Sequence, residues 1–271
     1  MRRTHLRAMV ACALLAALAA SCAPRLGPQH GPQPAVDGLA ARYGAARDRR
    51  AAALHAYTAQ LVVRADGRMV GRVPALIASL AMAAPDRVKI RASWLLGTAF
   101  EMVALDDSVF VWVPSQHTGV SMGHAAQTIG VRAPIALVCR ALGATWEPPS
   151  AAWRTAVADS AGWTLAWMEE GDSLQMQLGH DARPKMVRLA REGGEVRVRY
   201  TSWENWREAP WPQRIEMADG SGWARIRIEM DQPHMAKRPD PHWFALHVPD
   251  DARVVDWRDL RSLLGLQGDK E

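Results

Sequence analysis

A serine, an aspartate and a histidine occur in this sequence in an order that could form a catalytic triad. Ser173 lies in the tetrapeptide Gly-Asp-Ser-Leu, and Asp231 is followed three residues later by His234. A serine nucleophile requires a histidine that takes its proton and a carboxylate that orients this base. The residue types and the Asp-x-x-His spacing therefore suit the hydrolysis of an ester.

The tetrapeptide resembles the signature of GDSL esterases, in which the serine ends the first strand of a parallel α/β fold and opens into a helix. Here Ser173 follows Glu169 and Glu170 and begins a segment of strictly alternating apolar and polar residues, which predicts a hairpin turn and a strand. No Gly-x-Asn-Asp block, which would supply oxyanion donors, separates Ser173 from His234. We therefore expect a protein without enzymatic activity, and a serine esterase remains the alternative.

Other chemistry finds little support in the residue pattern. The nine histidines are scattered, and no pair has the short spacing with a carboxylate partner that metal sites require. No glycine-rich phosphate loop or dinucleotide fingerprint occurs. The sequence therefore predicts neither a bound metal nor a cofactor.

The N-terminal residues point to covalent lipid attachment. Arg2, Arg3 and Arg7 precede an apolar run from Ala8 to Ala20, and Ser21 and Cys22 follow. This pattern predicts a secretory signal peptide over residues 1–21, because the apolar run is shorter than the about 20 residues of a membrane span. The end of the run resembles a bacterial lipobox, although the leucine stands four residues before the cysteine rather than three. The resemblance makes Cys22 an acylated membrane anchor that carries a palmitate-type chain; the alternative is an ordinary secretory signal.

Export and acylation have further consequences. Only Cys139 remains once Cys22 is acylated, so no disulfide framework is expected. The net charge of +5 falls to about +2 without the three signal-peptide arginines, so we expect no nucleic-acid partner. Ala23 follows the cysteine where inner-membrane lipoproteins of enteric bacteria carry aspartate. By that resemblance the protein is anchored to the outer membrane and faces the periplasm.

The remaining chain divides into a tether and one domain. Residues 22–34 are rich in proline and glycine and predict an extended tether, and residues 35–271 predict a single mainly β domain. Apolar spacing predicts a leading helix over 36–54 and a second helix over 133–142. Strict alternation predicts strands of an antiparallel sheet or barrel around residues 60–64, 88–91, 173–178, 196–200 and 224–230.

Two further segments are apolar on both faces, namely 73–82 and 109–113. One face of an open antiparallel sheet normally meets water, so two apolar faces require two coverings. One covering could be a helix and the other an apolar cavity that holds a ligand. The alternative is that both segments lie in the middle of a sandwich.

The order of these parts resembles the LolA/LolB-like lipoprotein-carrier superfamily. The resemblance spans about residues 36–255 and includes the lipobox, the leading helix, the hairpins, the mid-chain helix and a terminal strand at Trp243–Pro249; the closest local likeness is Arg87–Pro114. It implies a strongly curved antiparallel half-barrel with a leading helix and a covering helix over an apolar concave face. Its implied ligand is a membrane lipid or an acylated lipoprotein. The predicted cavity wall comprises Leu76, Ile77, Leu80, Phe110, Trp112, Leu137 and Val138.

Two apolar groups remain open to a second interpretation. Trp94, Leu95 and Leu96 form either an exposed apolar loop that approaches lipid or a buried turn. The tryptophans between Trp203 and Trp211 form either a packed strand pair or a cavity mouth. A structural lipoprotein that joins an envelope protein complex and carries no lipid is the alternative to the carrier function.

Overall fold

The first strand of the chain pairs with a strand near its end, and this pairing joins two antiparallel halves into one sheet. The computed structural model describes residues 33–67, 71–72, 75–94, 97–105, 108–122, 135–191, 194–206, 209–221, 225–231 and 233–256. Within these ranges the helices are α1 (Gln33–Ala53), α2 (Ile135–Gly143) and α3 (Ser150–Arg154), with 3-10 turns at Pro114–Gln116 and Pro241–Phe244. The strands are β1 (Ala56–Gly67), β2 (Gly71–Arg72), β3 (Leu76–Ala83), β4 (Arg87–Trp94), β5 (Gly97–Leu105), β6 (Ser108–Val113), β7 (Thr118–Met122), β8 (Val157–Asp159), β9 (Gly162–Glu169), β10 (Asp172–Leu178), β11 (Pro184–Arg191), β12 (Gly194–Trp206), β13 (Ala209–Asp219), β14 (Arg225–Met230), β15 (His234–Met235) and β16 (Arg253–Asp256).

All described strands belong to one curved, open sheet, as the half-barrel prediction requires. The order is β16-β7-β6-β5-β4-β3-β1-β14-β13-β12-β11-β10-β9-β8, and β2 and β15 add to β1. Neighbours along this order are antiparallel except β16, which runs parallel to β7. The long-range step is β1 with β14, where Leu61 faces Met230 and Val63 faces Ile228.

The predicted elements are found close to their expected places. Helix α1 begins at Gln33, inside the predicted tether, and Pro34 occupies its first turn, where a missing N–H costs nothing. Helix α2 ends after Gly143, and Ala144 takes the left-handed conformation (φ +49°) that stops it. The β9–β10 hairpin turns through Glu170 and Gly171, both with positive φ, as a two-residue turn requires.

One face of the sheet, here called the inner face, is covered by the three described helices. Helix α1 contacts β13, α2 contacts β4 and β13, and α3 contacts β9. Leu39 and Tyr43 of α1 and Leu142 of α2 are at most 2% exposed and pack on the sheet. Each fully buried leucine of this kind contributes about 1.5–3 kcal/mol. The inner face is therefore the main core of the protein.

The opposite, outer face has a second apolar cluster that the sequence did not reveal. Residues 237–249, here called the strap, cross this face, and Phe244 packs against Ala83 and Val103. The Nζ of Lys89 donates a hydrogen bond to the carbonyl of Ala245. The strap is thus the chain's own second covering for part of the doubly apolar sheet.

The terminal strand predicted at Trp243–Pro249 is wrong. Residues Pro241–Phe244 form a 3-10 turn, which begins where the Asp240 side chain accepts from the His242 N–H at 2.9 Å. The residues after Ala245 are not in a strand until Arg253. The apolar residues that suggested this strand by resemblance have another role, since Phe244 and Leu246 pack in the outer cluster.

Removing the Phe244 ring is expected to destabilise the protein by about 3 kcal/mol, because Phe→Ala changes at buried sites cost about 3–5 kcal/mol and this cluster is small. The test is chemical unfolding of the chain from Ala23 to Glu271, exported with an ordinary secretory signal and here called the exported chain. His247→Ala, at an exposed strap position, should change stability by less than about 0.5 kcal/mol. Equal stability of Phe244→Ala and the unmodified chain would show that the strap does not hold the sheet.

Candidate functional site

Four of the seven predicted cavity-wall residues lie on the inner face or on its covering helix. Leu76 and Leu80 of β3 are 8% and 1% exposed and belong to the main core. Leu137 and Val138 of α2 are partly buried and pack against the same core. The structure therefore brings this part of the predicted wall together.

The other three predicted wall residues lie on the outer face, so the seven do not form one surface. Burial alternates along β3, and Ile77 is 62% exposed on the side away from Leu80. The register continues this alternation, because Met102 of the inner face pairs with Val111. Phe110 and Trp112, the neighbours of Val111, therefore point outward. Period-two patterning cannot assign faces when both faces are apolar.

Trp112 and Phe110 pack within the outer face. Trp112 is 6% exposed, and its ring meets the His117 ring edge-on with centroids 5.7 Å apart. The Phe110 ring lies directly over Gly119, where any Cβ would come within 2.6 Å of its edge. These two aromatic residues are packing groups of the outer face.

A cavity of about 300 Å³ opens at one end of the inner face, between α1, α2 and the β3–β4 hairpin. Its apolar lining includes Leu54, Met82 and Cys139, which are at most 4% exposed. Pockets that hold small ligands are concave and mostly apolar, with few polar groups. Met82 and Cys139 were not among the predicted wall residues, although they follow Leu80 on β3 and Val138 on α2.

Charged side chains surround the opening of this cavity. Arg47 of α1 forms an ion pair of 2.8 Å with Glu147. Arg140 of α2 forms one of 2.6 Å with Glu169 of β9, and both side chains are about one third exposed. An opening lined by both apolar and charged side chains suits an amphiphilic molecule, which has an apolar chain and a polar end.

The Cys139 thiol does not act as a reactive group in this cavity wall. Burial raises its pKa to about 12, with a further contribution from the negative charge of Asp86. A thiol of this kind stays protonated at physiological pH and reacts slowly with oxidants and electrophiles. Cys139 is a free cysteine that packs as a small apolar side chain.

A buried chain of hydrogen bonds connects α1, the α2–α3 link and β12. The Tyr43 hydroxyl donates to the Trp146 carbonyl at 2.6 Å, and the Trp146 Nε1 donates to the Tyr200 hydroxyl at 2.7 Å. Tyr200 in turn donates to the Ala141 carbonyl at 3.0 Å. Burial raises the pKa of both tyrosines, so both hydroxyls remain donors. The chain fixes the end of α2 next to the cavity.

The predicted triad residues are not assembled as in a GDSL esterase. Ser173 is exposed and lies within antiparallel β10, where it faces Met168 and Ala190. His234 belongs to β15, which pairs with β1, and four strands separate β1 from β10 in the sheet. A nucleophile and its base must be within hydrogen-bond reach, and Ser173 and His234 lie on strands too far apart in the sheet for that. The pairing of β9 with β10 confirms the hairpin that the sequence predicted around Ser173.

No group of three or more His, Cys, Asp or Glu side chains within the described ranges is placed to hold a metal ion. No helix in the same ranges has both the length and the hydrophobicity that crossing a bilayer requires.

Some predicted residues lie outside the described part of the chain. These are the anchor Cys22, the signal peptide, Leu95 and Leu96. For Trp94 only the backbone is described; it ends β4 and pairs with Gly97. Trp203 and Trp211 form the predicted strand pair, since β12 and β13 are paired neighbours and both side chains pack on the main core.

The curved antiparallel sheet with helices on one apolar face is a LolA/LolB-like fold. A LolA superfamily protein from Nitrosomonas europaea superposes with a TM-score of 0.53 at 11% identity, over 78% of this chain and 97% of the other. A domain from Vibrio parahaemolyticus, assigned to outer membrane lipoprotein sorting, gives 0.49 at 9% identity over 78% and 97%. The sequence matches no protein-family profile and no curated protein.

Proposed function

We propose that this protein is a non-catalytic, lipid-anchored lipoprotein that binds an acyl chain of a membrane lipid or of another lipoprotein. The observation that carries the proposal is the cavity of about 300 Å³ at the end of the helix-covered inner face. The side chains of Leu54, Met82 and Cys139 supply its apolar lining, and each methylene that an acyl chain buries there contributes about 0.8 kcal/mol.

The fold supports the same proposal. The protein resembles in fold a LolA superfamily protein from Nitrosomonas europaea. In this chain the inner-face leucines, Leu76 and Leu80, belong to the same core cluster as Leu137 and Val138 of α2. Acyl chains that enter from the cavity would extend along this interface if α2 moved outward.

The proposed location is the periplasmic side of the outer membrane. The N-terminal arginines, the apolar run and Cys22 support export and acylation, and Ala23 after the cysteine favours the outer membrane. Cells that express the protein in radioactive palmitate should label the unmodified chain and not Cys22→Ser. Equal labelling of both proteins would contradict the anchor.

Binding is tested with a fluorescent fatty-acid analogue and the exported chain. We expect saturable fluorescence that unlabelled palmitate displaces, because one cavity should hold one chain at a time. Absence of binding would contradict the carrier function. It would favour a structural lipoprotein of an envelope complex, a second candidate supported by the close packing of the inner face, where Leu80 is 1% exposed.

A further inference from the structure

Arg50 is a completely buried arginine in the last turn of α1 (0% exposed). Its Nε and Nη2 donate to the Ala144 carbonyl at 3.3 and 3.1 Å. Its guanidinium also lies over the Trp203 ring, 5.4 Å from the centroid. Arginine is almost never fully buried without a charged partner, so its surroundings require an explanation.

Among the described residues, no carboxylate is found to balance the charge of Arg50. The ionisable groups that act on it are the hydroxyls of Tyr43 and Tyr200 and two further arginines, Arg183 and Arg47. Burial therefore lowers the pKa of Arg50, and the neighbouring arginines add to this effect. A charge without an opposite partner is costly inside a protein, and neither a carbonyl nor an aromatic face supplies that opposite charge.

One nitrogen of Arg50 lacks a hydrogen-bond partner within the described ranges. Its Nη1 is buried and makes no hydrogen bond there, and the same holds for the Tyr57 hydroxyl and the Trp211 Nε1. Tyr57 and Trp211 belong to the same main core as the covering helices. All three atoms are hydrogen-bond donors, so the missing partner in each case is an acceptor. For Arg50, which carries a positive charge, the matching acceptor is an anionic oxygen.

Arg50 does not line the cavity of the proposed function, but several of its near neighbours in the chain do. Ala51 and Leu54, one and four residues after Arg50, belong to the cavity lining. Gly143 and Thr145 line it too, and they flank Ala144, whose carbonyl accepts from Arg50. A small outward shift of the Ala144 segment would therefore open the guanidinium to the cavity.

We infer that Arg50 binds an oxyanion of the amphiphile, a carboxylate or a phosphate oxygen, at the inner end of the cavity. This inference rests on the proposed acyl-chain binding and specifies its ligand as an anionic amphiphile. The anionic oxygen accepts from Nη1 and supplies the missing negative charge, and charge-assisted hydrogen bonds of this kind are about twice as strong as neutral ones. The acyl chain occupies the apolar lining, and the head group lies inside rather than at the charged rim.

The test compares three probes of equal chain length, namely laurate, dodecyl phosphate and dodecanol, by calorimetric titration of the exported chain. The inference predicts that laurate, dodecyl phosphate or both bind at least about tenfold more tightly than dodecanol. Arg50→Met should remove this preference and leave dodecanol affinity within about threefold. Arg214→Met, an outer-face arginine that pairs with Glu229, should keep the preference.

Each outcome decides a separate point. Binding of all three probes with equal affinity by the unmodified chain would overturn the role of Arg50 and leave the acyl-binding function intact. Binding of none would overturn both. The comparison of anionic probes with dodecanol in the unmodified chain tests the inference even if Arg50→Met fails to fold. If Arg50→Met folds and prefers the anionic probes as strongly as the unmodified chain does, the inference is also contradicted. The stronger of the two anionic probes distinguishes a carboxylate head group from a phosphate.

Discussion

Replacing Ala51 with tryptophan is expected to lower the affinity for a fluorescent fatty-acid analogue at least about tenfold. Ala51 lines the cavity from α1 and is itself exposed, so an indole at this position fills the opening without disturbing the core. Exposed positions away from packing contacts change stability by less than about 0.5 kcal/mol. The loss of binding therefore should appear in a protein that unfolds at nearly the same denaturant concentration.

The control for this variant is Ala41→Trp. Ala41 is exposed on the same helix and is not among the cavity residues, so the added indole should leave binding unchanged. Unchanged affinity in Ala51→Trp would show that acyl chains do not use this opening. Equal losses in both variants would point to an effect of the indole on α1 rather than on the cavity.

The largest expected effect on stability comes from Trp146→Ala, at about 3–5 kcal/mol. Trp146 is 2% exposed, and its Nε1 donates to Tyr200 while its carbonyl accepts from Tyr43. Its removal leaves a large void and leaves the Tyr200 hydroxyl without its indole donor. The measurement is the free energy of unfolding of the exported chain in denaturant.

Tyr200→Phe separates the polar from the apolar share of this effect. The change removes one hydroxyl and leaves the Trp146 Nε1 buried without an acceptor, which costs about 1–3 kcal/mol. Trp146→Ala should therefore be the more damaging variant. A loss below about 1 kcal/mol for Trp146→Ala would contradict the view that the link between α2 and α3 is fixed by this side chain.

Local patterns in the sequence were sufficient for most elements but not for their arrangement. Alternation located β10 and β12, and apolar spacing located α1 and α2, because each signal lies within one element. The pairing of β1 with β14 joins residues such as Leu61 and Met230 that are far apart in the chain. No local pattern indicates such a pair, so the joining of the two halves of the sheet is visible only in the structure.

The structure places the predicted wall residues on two faces for a similar reason. Leu80 and Ile77 were both assigned to one cavity wall because segment 73–82 is apolar on both faces, whereas the pleat of β3 places them on opposite faces. The strap residue Phe244 was predicted to extend a strand because its apolar neighbours suggested one. The burial of Arg50 has no local signal in the sequence, since it is one arginine among several on a helix.

The most direct test of acyl-chain binding is native mass spectrometry of the exported chain, purified from the periplasm without detergent and then extracted with solvent. The proposed function predicts a discrete additional mass that extracts as a phospholipid, a fatty acid or an acylated peptide. Ala51→Trp, prepared in the same way, should carry little or none of it. A protein at the mass of the polypeptide alone, which also takes up no added lipid, would contradict the carrier function.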